Sequence, residues 1–169
     1  MVFIDETGLN TKMARHHGRC PMGQRCLSAI PHGHWQSSTF IAALRHDSIE
    51  APFLIEGPVD AEVFTAYLEQ VLCPQLRQGD TLILDNFSTH KIHNVSQLLS
   101  ARGVGVRYLP PYSPDLNPIE QAFAKLKADL RQAAARTLED LHSALATTLD
   151  SFSATHCRGF FRHAQYASI

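Results

Sequence analysis

The chain has 169 residues, is 44% hydrophobic, and sets 15 Lys and Arg against 16 Asp and Glu, a formal net charge of −1. This length and apolar content suit one domain with a real core, and the near-neutral balance excludes a wholly cationic polyanion binder. No apolar stretch reaches the ~18–20 residues of a membrane span, and the four irregularly spaced cysteines exclude a disulfide framework.

The elements follow in chain order. Residues 2–4 (Val2, Phe3, Ile4) read as a buried strand ended by Asp5. Residues 7–25 are rich in Gly, Arg and His and read as an irregular or hairpin segment. Strand-like runs over 26–30 and 39–44 flank the turn-like Pro31-His32-Gly33-His34, and 53–55 is a further short strand. From Asp60, an N-cap, the pattern turns helical, with Val63, Phe64, Tyr67, Leu68, Val71 and Leu72 recurring at three and four. Gly79-Asp80 resets the chain into the strand 81–84, ended by Asp85. A polar loop and a helix from about 89 to 101 lead to a strand over 104–109. Pro110, Pro111 and Pro114 then fix φ and forbid helix. Helices are expected from 118 to about 135 and from 137 to about 152. Early strands followed by strand–helix alternation predict an α/β layer with a mixed sheet.

Charge is unevenly placed. Residues 51–100 hold six acids against two bases, and residues 101–169 hold eight bases against six acids. A basic groove beside an acidic site is compatible with that division. Asp5 and Asp85 share one context, an apolar strand, then an acid, then a polar turn. Burying such an acid is costly without compensation, and a divalent cation is the usual compensator where carboxylates converge. Parallel, adjacent strands would bring both acids to the sheet edge where α/β ligand sites form. Taken alone, either acid is more simply a loop or capping residue.

Glu120 has a structural reading of its own. Asn117 fits an N-cap, Pro118 N1, and Glu120 the N3 of a capping box. Ile119, Phe123, Leu126 and Leu130 form the helix's buried stripe, while Glu120, Lys127 and Arg131 align on another face. Asp85 and Glu120 are separated by 34 residues, 86–119. Three convergent carboxylates point to a metal-dependent enzyme acting on phosphate esters, and without metal their repulsion should raise at least one pKa. Asn86, His90 and Asn117 are supporting polar residues. Asn86 could reach the acids or the substrate, though turn chemistry explains it equally well. His16, His17, Cys20, Cys26, His32 and His34 invite zinc, but the step between the cysteines does not match common zinc spacings.

Together, Phe3-Ile4-Asp5-Glu6-Thr7-Gly8, Leu84-Asp85-Asn86 with His90-Lys91, and Leu109-Pro110-Pro111-Tyr112-Ser113-Pro114-Asp115-Leu116-Asn117-Pro118-Ile119-Glu120 resemble the DDE transposases. The likeness is to the mariner-like superfamily in its bacterial insertion-sequence branch, the IS-six-thirty group, whose hallmark spacing matches the interval from Asp85 to Glu120. The resemblance implies a ribonuclease-H-like α/β fold, a central mixed five-stranded sheet flanked by helices, as one catalytic domain over 1–169. Relatives carry a helix-turn-helix module before that domain, and the expectation is that it is absent here. The implied activity is metal-dependent DNA phosphodiester hydrolysis and strand transfer at transposon ends. Asp5, Asp85 and Glu120 take the catalytic, metal-binding positions for two Mg²⁺ ions, with Mn²⁺ as substitute. Lys91, Lys125, Lys127 and Arg131 are expected to contact DNA phosphates. The implied partners are double-stranded DNA (terminal inverted repeats and target) and a second copy of the chain. Asp5 and Glu6 stand where a signal peptide would need positive charge, so the expected location is cytoplasmic and nucleoid-associated in a bacterium, with no membrane. The competing expectation is a catalytically idle, transposase-derived DNA-binding or dimerisation fragment.

Overall fold

The structure is a computed structural model that describes residues 1–15, 17–27, 31, 34–85 and 99–166. β1 (Val2–Asn10), β2 (Ser37–Leu44), β3 (Ile49–Glu56), β4 (Thr81–Leu84) and β5 (Gly105–Tyr108) form one sheet in the order β3-β2-β1-β4-β5. β1 pairs antiparallel with β2, and β2 with β3, whereas β4 runs parallel to both β1 and β5. The sheet is therefore mixed and five-stranded, as the alternation of elements predicts.

Two helical layers cover it. Strand side chains alternate between faces, so Val2, Ile4, Ile41, Ala43, Leu82 and Leu84 fall on one side. They pack there on α1 (Ala61–Tyr67) and the π turn Leu68–Leu72 that continues it. Phe3, Leu9, Phe40, Ala42, Leu44 and Ile83 fall on the other side. Those residues meet α2 (Pro118–Ala133), α3 (Leu138–Asp150) and α4 (Ala154–His163). The stripe Ile119, Phe123, Leu126 and Leu130 is buried as its spacing predicts. Asp60 caps α1 by accepting from the Val63 N–H at 2.9 Å. Among the described residues, no helix is long and apolar enough to cross a membrane.

The structure departs from the sequence reading at four places. β1 continues through Thr7-Gly8-Leu9-Asn10, because Thr7 and Leu9 face the core and β2 supplies a full ladder out to Asn10↔Ser37. Cys26 and Leu27 are exposed coil rather than strand, and the rest of that expected strand, like most of the helix expected over 89–101, lies outside the described residues. β3 starts earlier than expected, at Ile49, tied to β2 through Leu44↔Ile49. Finally, α4 has no counterpart in the sequence reading. Ser153 accepts from the His156 N–H while His156 Nδ1 accepts from the Ser153 N–H, a capping box built with histidine in place of Glu or Gln.

Candidate active site

Strand periodicity brings the first two acids together. Asp5 follows Phe3 by two residues and Asp85 follows Ile83 by two, so both belong to the face that α2 covers. Phe3 pairs in register with Ile83 on adjacent parallel strands. One pleat further along, the two carboxylates occupy neighbouring positions where β4 ends.

The third acid arrives from the helix. Glu120 is exposed in the first turn of α2. With Asp85, Asn117 and the rim Leu109-Pro110-Pro111-Tyr112-Ser113-Pro114 it lines a cleft of about 320 Å³. Tyr112 sits on that rim fully exposed with φ +57°, a left-handed backbone that a non-glycine residue rarely adopts.

Asn117 joins helix to strand. Its backbone is extended at the N-cap, yet its side chain makes no capping hydrogen bond. Nδ2 instead donates to Asp5 Oδ2 at 3.0 Å, and the Glu6 N–H donates to Asp5 Oδ1 at 2.8 Å. The capping box read from the sequence is therefore not formed; the asparagine is spent on holding Asp5. Asn117 Oδ1 is buried with no hydrogen-bond partner, an orphaned acceptor beside a carboxylate cluster.

The pKa of Asp5 is pushed up to about 7. Burial is the largest cause, the Glu6 N–H opposes it, and the negative charges of Glu120 and Asp85 add to the rise. A raised pKa was expected from repulsion among the acids; desolvation contributes more. Among the described residues no cation is paired with Asp5, and no three His, Cys, Asp or Glu side chains form a group that could hold an ion by themselves. The donors that converge are nonetheless hard oxygens around a buried, uncompensated charge and an unpartnered amide oxygen. That chemistry fits a divalent cation whose shell is completed by water and substrate oxygens.

The expected phosphate contacts divide. Lys127 and Arg131 line an open groove with Gly8, Asn10, Lys12 and Trp35. Lys125 is not among the residues lining that groove; its Nζ pairs with Asp129 at 2.6 Å and stands 4.7 Å from the Phe152 ring centre. Asn86, His90 and Lys91 lie outside the described residues. Lys12, Trp35 and Tyr112 were not singled out from the sequence as site residues. The only signal for the first two is the β1–β2 ladder, whose length the sequence did not disclose.

Residues 1–142 match the family described as DDE superfamily endonuclease. No curated protein sequence matches the chain. Among solved structures, the Mos1 strand transfer complex aligns with a TM-score of 0.67 at 18% identity, covering 97% of this chain and 51% of that one. The Mos1 transposase paired-end complex with left transposon end gives 0.69 at 16%, covering 96% and 51%. The catalytic domain of Mos1 mariner transposase gives 0.62 at 15%, covering 98% and 77%. The chain thus spans about half the length of the Mos1 chains in those two complexes. At such identities the likeness establishes the fold, which is ribonuclease-H-like. The family match runs unbroken across Asp5, Asp85 and Glu120, and with the fold agreeing, the chain belongs to the DDE superfamily endonuclease family.

Proposed function

We propose that this chain is the catalytic domain of a DDE transposase of the IS-six-thirty branch, cutting DNA phosphodiesters at transposon ends and transferring the freed 3′-hydroxyl to target DNA. The observation that carries the reading is the coupling of Asp5, a half-buried carboxyl without a cation, to Asp85 and Glu120. That the similar Mos1 structures are a strand transfer complex and a paired-end complex with transposon-end DNA lends it support.

In this reading Asp5, Asp85 and Glu120 would hold two divalent ions, Mg²⁺ or in its place Mn²⁺. Such ions supply charge stabilisation for the attacking and leaving oxygens of an in-line displacement. The chain's own residues do the rest. Asn117 Nδ2 and the Glu6 N–H fix the two oxygens of Asp5, so the carboxylate has its orientation before substrate arrives. The proline-rich rim gives the cleft a wall that resists collapse. Lys127 and Arg131 neutralise backbone phosphates and set the register of the duplex without reading its sequence. Lys91, Asn86 and His90, which follow Asp85, are assigned to phosphate contact and support of the acids. The active complex is proposed to contain two copies of the chain on transposon-end DNA, in the bacterial cytoplasm at the nucleoid.

The test is cleavage of pre-nicked transposon-end DNA in Mg²⁺ or Mn²⁺, with Asp85→Ala as control. Metal-dependent nicking by the wild type alone supports the reading. Unaltered DNA binding with no cleavage by any protein would assign the chain as an idle DNA-binding fragment.

A further inference from the structure

Beyond Asn10 the ladder between β1 and β2 does not stop at once. The Thr11 N–H donates to the Gln36 carbonyl at 3.1 Å, and the Gln36 N–H donates to Thr11 Oγ1 at 3.2 Å. One step further, Lys12 and Trp35 are cross-strand neighbours, and Lys12 Nζ stands 4.5 Å from the Trp35 ring centre. Trp35 is nonetheless 54% exposed. Its ring is thus open to solvent beside a cation.

The extension is held against α2 at fixed positions. Arg15 Nη2 donates to Gln132 Oε1 at 2.6 Å, and Arg136 Nη1 donates to the Met13 carbonyl at 3.1 Å. Between helix and extension lies the groove that holds Lys12, Trp35, Lys127 and Arg131, and no carboxylate is among the described residues lining it. Its direction follows from its contacts. Asn117 meets Asp5 at one end, and Lys127 and Arg131 stand beside Gly8, Asn10 and Lys12 at the other. α2 and β1 therefore run side by side in the same sense, away from the acids. From Asp5 to Lys12, which faces Trp35, the strand advances ~23 Å. At about 3.4 Å of axis per nucleotide, that length holds about seven nucleotides.

We propose that this groove receives one strand of DNA leaving the acid cleft, and that Trp35 stacks on an unpaired base about seven nucleotides from the cut while Lys12 takes the adjoining phosphate. The inference rests on the transposase reading for the position of the cut, and adds Lys12 and Trp35 to the groove in which that reading uses Lys127 and Arg131. A duplex buries its base faces, so a ring can stack only on a base that is unpaired, flanking or frayed. The cation beside the ring supplies the second half of the contact, as in grooves that track a single strand by alternating positive charge with aromatic faces. The platform therefore favours DNA ends with an unpaired stretch over blunt duplex.

Trp35 is the single tryptophan of the chain, so its fluorescence reports this groove alone. The experiment titrates the full chain, in EDTA so that no cleavage occurs, with oligo(dT), a blunt duplex, and the same duplex carrying an unpaired flank of about seven nucleotides. Expected is saturable quenching by oligo(dT) and by the flanked duplex, with the blunt duplex binding several-fold more weakly. Anisotropy of labelled DNA then follows the variants. Trp35→Ala should lose about fivefold or more in affinity for the flanked duplex and little for the blunt one. Trp35→Phe should restore part of that loss, and Lys12→Ala should weaken flanked binding without abolishing quenching. An unchanged preference in Trp35→Ala overturns the proposal, as does equal quenching by all three DNAs. A change in self-association on gel filtration with DNA binding intact would overturn it too, assigning Trp35 to contact with another copy. Failure of metal-dependent cleavage alongside intact flank preference would instead remove the transposase reading and leave the platform standing.

Discussion

Two sets of half-buried acids stand on the same sheet and differ in how their charge is met. At the start of β4, Asp80 receives Arg45 through two hydrogen bonds, 2.7 Å from Nη1 and 2.6 Å from Nη2, while Arg45 Nε reaches Glu50 at 2.6 Å. Arg45 holds the Asp80 carboxyl below its ordinary range, and the two acids together raise the guanidinium. On the neighbouring β1, Asp5 is paired with no cation among the described residues, and its pKa is pushed up to about 7. The first set is complete within the protein and belongs to its architecture. Asp5 has no such internal cation among the described residues, and a buried acid of that kind is a candidate for a functional site.

The comparison can be broken most severely at Asp5. Asp5→Asn keeps the shape and an acceptor for Asn117 but removes the charge, and cleavage in Mg²⁺ should fall by about four orders of magnitude, ~5.5 kcal/mol of barrier. A gel assay with wild-type nicking by that variant would remove Asp5 from the chemistry. At the compensated end, Arg45→Met should strand Asp80 and Glu50 and cost about 3–5 kcal/mol in urea unfolding. Replacing all three by apolar residues should recover most of that, since a matched pair adds little net stability over a well-packed core.

The pH dependence of the two ends has opposite sign. The folded protein favours protonated Asp5, so its contribution is present below about pH 4 and is lost as pH rises through about 7. The loss is at most about 4 kcal/mol for the metal-free protein. Asp80 behaves in reverse, contributing above its ordinary pKa of 3.8 and losing that contribution as pH falls through its lowered value. Thermal unfolding from pH 4 to 8 in EDTA should show the Asp5 decline in the wild type and its absence in Asp5→Asn. Smaller still, Lys127→Ala with Arg131→Ala should weaken binding to all DNA sequences alike and reduce the slope of log affinity against log salt by about 2. A loss confined to one sequence would contradict a phosphate role.

Most of the frame was legible. Residues 81–84 alternate between two cores, and 118–133 carry an apolar stripe at helical spacing, so their periods are written in the chain. Asp5 and Asp85 could be paired because each closes such a run. The role of Asn117 could not be read, because the same local sequence satisfies a capping box as well as a tether, and only the proximity of a strand 112 residues away decides between them. Lys12 and Trp35 escaped for a related reason: their pairing depends on a ladder closing across a 25-residue connection without periodicity. The pairing of Lys125 with Asp129, one helical turn on, follows from their spacing of four residues.

One rod, α2, carries both Glu120 at its head and Lys127 and Arg131 further along. If the proposed roles hold, chemistry and grip are locked in phase by helical pitch rather than by any loop. A single inserted residue between 121 and 126 would swing the basic side chains ~100° around the axis and off the groove, while leaving every acid in place. On the proposed reading, the count of residues between Glu120 and Lys127 therefore belongs to the site as much as the side chains do.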